Sequence, residues 1–155
     1  GPEAKGAIVG FTDVHTRAHL YRAMIEGLTY ALREGKELLE KRSGTALKRL
    51  VISGGGSQSD QVMQITADIF GMTVERPHTY ETSGLGAAIA AAVGTGVYKD
   101  FPTAVAQMSH VADRFEPQPA NQAIYQALYN DVYKKMYRHL KPTYKAIRAI
   151  TGYPA

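Results

Sequence analysis

The chain has 155 residues, of which 45% are hydrophobic and 21% charged, a composition typical of a globular domain and not of a disordered chain. It contains no cysteine, which excludes disulfides and thiolate metal sites and favours a cytoplasmic protein. No apolar run approaches the roughly 18 residues that a membrane-spanning helix needs, and no signal-peptide pattern is present, so we expect no membrane partner.

The net charge of +4 arises in the C-terminal quarter of the chain. Residues 1–115 carry twelve basic and twelve acidic side chains, whereas residues 116–155 carry six basic and two acidic ones. Basic residues interleaved with tyrosines can bind nucleic acid, but the same pattern is typical of a solvated helix face opposite a packed one. We interpret the tail as a solvated helix and expect no nucleic-acid partner.

The first elements in chain order are a short apolar segment and a long helix. Residues 6–11 are consistent with a strand or an extended lead-in. From His15 to Arg42, apolar residues recur every three or four positions, which predicts a helix that ends at Ser43-Gly44. Residues 50–53 are apolar and predict a buried strand.

The next elements surround a run of three glycines. Gly54, Gly55 and Gly56 follow the predicted strand directly, and a helical pattern then extends from Gln58 to Phe70. Gly71 is placed to cap the end of that helix. A backbone with three consecutive glycines can turn sharply, or can let a flat ligand approach it without meeting a Cβ atom. Spacing alone fits two alternatives equally, a nucleotide-binding turn and a tight turn with no ligand.

The remaining elements are short until the C-terminal helix. A strand is predicted over residues 72–75, ending at Pro77, and helices are predicted over 84–93, capped by Thr82 or Ser83, and over 102–108. The helix at 84–93 has small side chains, so we expect it to pack closely against a sheet or another helix. The last helix begins near residue 121 and carries a tyrosine stripe that indicates core or interface, and Pro142 is expected to break or kink it.

Two stretches together resemble motifs of the FGGY family of carbohydrate kinases. The segment Gly6–Phe11, followed after seven residues by His19–Glu26, is similar to the second sequence signature of that family at every constrained position. The run Gly54–Gly56, followed later by Gly86-Ala87-Ala88, resembles the adenosine motif and connecting helix of the sugar kinase, Hsp70 and actin superfamily. The resemblance covers essentially the whole chain.

The resemblance implies a fold and a reaction. The fold is α/β, ribonuclease H-like as in the actin-like ATPases, helix-rich with a few short strands, and residues 1–155 correspond to the later part of the C-terminal domain. The reaction moves the γ-phosphoryl group of ATP, with Mg²⁺, to a sugar or polyol hydroxyl. No segment corresponds to the N-terminal domain that binds the sugar and supplies the general base, or to the two phosphate loops. Because phosphoryl transfer depends on such groups, we expect the chain alone to be inactive.

The resemblance also implies a cofactor-binding site. Gly55 and Gly56 would lie against the adenine and ribose of ATP, with Gly54 in the same turn, and Ser59 and Gln58 would place polar side chains near the base. No catalytic residue and no metal ligand is assigned to this chain. His15 and His19 share one helix face, but we interpret them as hydrogen-bonding residues because no third ligand is evident.

A different class of function stays open from the sequence. The helices at 15–42 and 121–140 have wide apolar faces, which would suit a non-enzymatic protein-interaction module built on the same half-fold. In a kinase, these faces would pack against the missing parts, through which the sugar binds, or against a second copy in a homodimer.

Overall fold

The computed structural model describes residues 4–153, which form six α-helices, three short strands and two turns of other helix types. The elements in chain order are α1 (Arg17–Ser43), β1 (Leu50–Val51), a 3₁₀ turn (Gly55–Gln58), α2 (Asp60–Phe70), β2 (Val74–Pro77), α3 (Thr82–Gly94), α4 (Phe101–Met108), β3 (Val111–Phe115), α5 (Pro119–Leu128), a π-helical turn (Tyr129–Tyr133) and α6 (Lys134–Thr151).

The three strands form one small sheet in the order β1-β2-β3. β1 and β2 are parallel, with Leu50 opposite Val74, and the chain crosses between them through α2. Parallel neighbours require such a crossover, usually a helix. β3 is antiparallel to β2, with Arg76 opposite Asp113 and an irregularity between Arg76 and Pro77. The carboxyl ends of β1 and β2 therefore lie at the same edge of the sheet.

Helix α2 lies at the centre of the fold, because it is buried on two faces. One face packs with α1 and the C-terminal helices in a cluster of Tyr30, Ile65, Ile69, Tyr125 and Tyr129, which we call the tyrosine core. The other face places Met63 and Ala67 against Val74 of the sheet. Gly71 ends α2 with φ 62°, as its sequence position predicts, because glycine adopts this left-handed conformation without a Cβ penalty.

Two polar networks join the helices around α2. The buried carboxylate of Asp68 accepts hydrogen bonds from the Gln118 amide (2.7 Å) and from the Asn121 side chain (2.9 Å), which ties α2 to the start of α5. Glu26 of α1 accepts from the Tyr125 hydroxyl (2.7 Å) and from Arg22 (2.8 Å). Both carboxylates are therefore structural in this chain.

Several predicted elements differ from the observed ones in the sheet region. Residues 6–9 form no regular structure, so the lead-in alternative holds and the strand alternative is wrong. The buried strand predicted over 50–53 is limited to Leu50–Val51, and Val51 is 45% exposed because β1 has β2 as its only partner among the described residues. The strand β3 was not predicted, since its sequence Val-Ala-Asp-Arg-Phe carries two charges in five positions.

The helical predictions hold, with corrections in α3 and α6. α3 begins at Thr82, so neither Thr82 nor Ser83 caps it, and only Ile89 of this helix is buried. The packing expected of α3 is found in part: the helix packs against α4, while most of its small residues are exposed within the described chain. α6 continues through Pro142 to Thr151, because the carbonyl that loses its donor belongs to exposed Arg138. Within residues 4–153, no helix has the length and apolarity to cross a bilayer.

Candidate functional site

The three-glycine turn follows the carboxyl end of β1 and leads into α2. Gly54 has φ 88° and ψ −176°, a conformation that residues with a Cβ atom rarely adopt. Its carbonyl accepts hydrogen bonds from the Ser57 amide (3.1 Å) and from the Ser57 hydroxyl (2.7 Å). These contacts close a 3₁₀ turn whose first amides, those of Gly55 and Gly56, have no acceptor within the turn.

Gly55 and Gly56 have open space where a side chain would be. A Cβ atom built on either residue, or on Gly54, meets no other atom within 4 Å. Both residues are exposed and have negative φ angles. Neither packing nor backbone conformation in the described chain therefore requires glycine at positions 55 and 56, whereas the positive φ of Gly54 does.

The polar residues of the turn divide into structural and available ones. Ser57 is fully buried. Ser59 is the N-cap of α2, its hydroxyl accepting from the Val62 amide at 3.4 Å and donating to Gln61 at 3.1 Å. Gln58 is exposed beside the turn. Of the two predicted polar residues, Gln58 is free to contact a ligand and Ser59 already stabilises the helix start.

The loop that follows β2 meets the turn at the same sheet edge. The Gly54 amide donates to the Tyr80 carbonyl (3.1 Å), and the Ser53 and Thr82 hydroxyls lie 3.1 Å apart. The start of α3 is therefore held beside the glycine turn, an arrangement in which open α/β sheets place ligands. A cleft of about 300 Å³ opens next to the turn, lined by Ser57, Gln58, Arg76, His78, Tyr80 and Asp113.

Arg76 is a residue at this site that the sequence analysis missed. Its guanidinium donates to the Ser57 carbonyl (3.0 Å) and to the carboxylates of Asp60 (2.8 Å) and Asp113 (2.9 Å). Its hydrogen bonds to Asp113 and then to Asp60 raise the pKa of Arg76, so this side chain stays charged. A lone arginine in a strand has no local signature, and only the pairing of β2 with β3 brings these acceptors together.

The two candidate histidines make hydrogen bonds near the start of α1. The Nδ1 atom of His15 is 3.0 Å from the Thr12 amide, and that of His19 is 3.1 Å from the Thr16 amide. Both contacts fix turns in the chain, in agreement with the hydrogen-bonding interpretation. Among residues 4–153, no group of three or more His, Asp or Glu side chains is arranged to hold a metal ion.

Comparison with known proteins places the chain among sugar kinases. Residues 1–95 match the model of the FGGY family of carbohydrate kinases, C-terminal domain. The chain is 41% identical over 115 residues to a glycerol kinase of Pseudothermotoga lettingae (74% of this chain, 23% of the relative). It is 35% identical over 123 residues to a xylulose kinase of Lactococcus lactis (79% of this chain, 25% of the relative).

A solved structure agrees with the sequence matches. The xylulose kinase from Rhodospirillum rubrum superimposes with a TM-score of 0.75 and 31% identity over 92% of this chain and 28% of that one. The chain thus spans about a quarter of the length of these relatives. Its sequence and its fold together show that the chain belongs to the FGGY family of carbohydrate kinases and matches their C-terminal domain.

Proposed function

We propose that this chain forms the ATP-binding side of a carbohydrate kinase that moves the γ-phosphoryl group of ATP to a sugar or polyol hydroxyl. The observation that carries the proposal is the open space over Gly55 and Gly56, where nothing in the described chain requires glycine. A flat purine against bare main chain would explain both residues. The names of the relatives, glycerol and xylulose kinases, support polyols and ketoses as the acceptor class.

The five residues of the proposed cofactor site have different roles. Gly54 sets the turn through its positive φ angle, and Gly55 and Gly56 lie against the adenine and ribose. Gln58 supplies an exposed amide to the base. Ser59 holds the first turn of α2, whose amides face the same region.

The phosphate and metal chemistry belongs to other parts of the kinase in this proposal. When ATP is bound, Mg²⁺ neutralises charge on its phosphates, and the described residues provide no set of three ligands for it. The parent protein is proposed to be a cytoplasmic enzyme of ribonuclease H-like fold, with the sugar bound through its N-terminal domain. We therefore expect the 155-residue chain to bind adenine nucleotides weakly and to phosphorylate no sugar.

Calorimetric titration of the chain with adenosine and ATP tests this proposal. We expect both to bind with similar Kd values on the order of 1 mM, since the base contacts are shared. Gly56→Val should abolish binding by filling the purine space, whereas Gly35→Ala, which adds a Cβ to an equally open position on α1, should not. A Gly56→Val variant that binds adenosine normally would contradict the assignment, as would turnover of glycerol or xylulose by the chain alone.

A second candidate function is a non-enzymatic interaction module. It is favoured by an apolar stripe along α1, whose members are all more than half exposed: Tyr21, Met24, Leu28, Leu32 and Leu39. Exposed apolar surface on this scale marks an interface, and a groove of about 420 Å³ lies between α1 and the C-terminal helices. In the kinase proposal, this stripe packs against the rest of the enzyme or a second copy.

Light scattering with and without adenosine separates the two candidates. A nucleotide-indifferent monomer that binds one specific protein partner would favour the module. Adenosine binding that depends on Gly56, whatever the oligomeric state, would favour the kinase.

A further inference from the structure

Arg76 joins three separate elements at the glycine turn. Its Nη1 atom donates to the Ser57 carbonyl of the 3₁₀ turn (3.0 Å) and to Asp60 at the start of α2 (2.8 Å). Its Nε and Nη2 atoms contact the Asp113 carboxylate of β3 at 2.9 and 2.8 Å, and the guanidinium lies 5.2 Å from the Phe115 ring centre. A planar guanidinium can serve several acceptors in fixed directions, which an ammonium group cannot.

The glycine turn has few other restraints. Gly54, Gly55 and Gly56 have no side chains and no packing neighbours within 4 Å of a Cβ position. Its other contacts within the described chain are main-chain hydrogen bonds and the bond of the Ser57 hydroxyl, which connect the turn to itself and to Tyr80. The bond from Arg76 to the Ser57 carbonyl therefore connects the turn to the sheet. The Asp60 carboxylate is also favourable at this place, because it lies at a helix N-terminus.

We propose that Arg76 is a positioning residue that sets the main-chain conformation of the glycine turn for ligand binding. It holds the Ser57 carbonyl and the first residue of α2 at fixed positions relative to β2 and β3. The ordering of the turn then precedes ligand binding, which lowers the entropy that binding must oppose. The part that concerns ligand binding rests on the proposed function, whereas the part that concerns the turn does not.

A second arginine–carboxylate pair between β2 and β3, formed by Arg114 and Glu75, provides a matched control. Glu75 accepts hydrogen bonds from Arg49 (2.5 Å) and Arg114 (3.0 Å). Arg114 lies opposite Glu75 on β3, as Asp113 lies opposite Arg76. Arg114→Gln therefore removes an arginine–carboxylate pair between the same two strands without touching residues 54–60.

Amide hydrogen exchange measured by NMR on the full chain tests the positioning role. In Arg76→Gln, we expect the Ser57 and Ser59 amides to exchange about tenfold faster or more, relative to the amides of α1. Adenosine affinity should fall by a similar factor. Arg114→Gln should change neither quantity. Arg76→Lys should restore only part of the protection, because lysine keeps the positive charge but lacks the planar set of N–H donors that reaches all three acceptors.

Asp60→Asn keeps the proposal testable if Arg76→Gln does not fold. It leaves Arg76 paired with Asp113 and Ser57 and weakens only the contact to α2, so a smaller increase in exchange at Ser59 is expected. The proposal is overturned if the turn amides keep wild-type exchange in Arg76→Gln, or in Asp60→Asn where Arg76→Gln does not fold. It is also overturned if Arg114→Gln has the same effect. If the wild-type chain binds no adenosine, the proposed function fails, and the exchange rates still decide the role of Arg76.

Discussion

The tyrosine core packs on one face of α2 and the glycine turn precedes its first residue, and the two are built in opposite ways. In the core, the identity of each residue has a reason inside the chain: Tyr129 is fully buried and stacks on Tyr30 with ring centres 5.7 Å apart. At the turn, Gly55 and Gly56 are exposed and face open space. The difference teaches that folding explains the residues of the core, whereas the packing and backbone of the described chain leave Gly55 and Gly56 unexplained.

The largest expected difference between the tyrosine core and the glycine turn appears at alkaline pH. Burial raises the pKa of four tyrosines of α1 and the C-terminal helices above the ordinary value of 10.0: Tyr30, Tyr125, Tyr129 and Tyr133. Because the folded-state pKa values exceed the unfolded ones, this stabilisation is complete below about pH 10. It is lost as the pH rises through the folded-state values. We therefore expect the core to unfold cooperatively above pH 10.

Tyrosinate absorbance and circular dichroism, recorded together from pH 9 to 12, check this expectation. Part of the ten tyrosines should ionise without loss of helix, and the rest should ionise together with unfolding. Ionisation of all ten near pH 10 with an unchanged helical signal would contradict a core sealed from water.

Truncation of Tyr129 should have the next largest effect. The side chain packs against Tyr30 and Tyr133, and the Arg33 guanidinium lies 4.2 Å from its ring centre. Tyr129→Ala should lower the free energy of unfolding by about 3–5 kcal/mol, the usual cost of deleting a buried aromatic ring. Tyr21→Ala, at a position 63% exposed, should cost about 1 kcal/mol or less in the same urea titration. Equal losses would mean that the core is not packed as described.

Removal of the Asp68 charge should have an intermediate effect. Oδ1 of this buried carboxylate accepts from Gln64 (2.9 Å) and the Gln118 amide (2.7 Å), and Oδ2 accepts from the Asn121 side chain (2.9 Å). An asparagine has one acceptor oxygen, so its NH₂ group would face a donor at the other position. Asp68→Asn should cost about 1–3 kcal/mol. The matched control is Asp131→Asn, an exposed i,i+4 partner of Lys135, for which we expect about 0–1 kcal/mol. Thermal unfolding of the two variants at pH 7 measures the difference.

Replacement of glycine by alanine should have the smallest effects on the free energy of unfolding. The cost should differ clearly between Gly71, at the end of α2, and Gly56, in the glycine turn. Gly71→Ala places a Cβ at φ 62° and against the Gln122 side chain, so it should cost about 1–2 kcal/mol. Gly56→Ala enters open space without a positive φ and should change stability by about 0.5 kcal/mol at most. A large loss for Gly56→Ala in urea titration would indicate an internal reason for this glycine, and the ligand argument would lose its basis.

The sequence predicted those elements whose causes are local. The helix α1, its end at Gly44, the cap at Gly71 and the buried tyrosines of the C-terminal helix follow from periodicity and glycine conformation. The position of the glycine turn between a strand and a helix was also predictable, because the run of glycines is explicit in the sequence.

The sequence-based predictions that failed concern features that depend on tertiary contacts. The strand β3 forms because it pairs with β2, with Asp113 opposite Arg76. No local sequence pattern predicts this pairing. The packing of α3 was expected from its small residues, yet close approach needs a partner, and among the described residues its main partner is α4. Arg76 likewise became visible at the site only when Ser57, Asp60 and Asp113 were placed around it.

The two-residue strand β1 has a practical consequence for work with the isolated chain. β1 pairs with β2 on one side, and no other described strand pairs with it. Open strand borders recruit other chains, and the partly exposed Val51 side chain adds apolar surface there. We therefore expect storage at high concentration to produce aggregates that grow from this border, and a charged substitution such as Val51→Lys to suppress them.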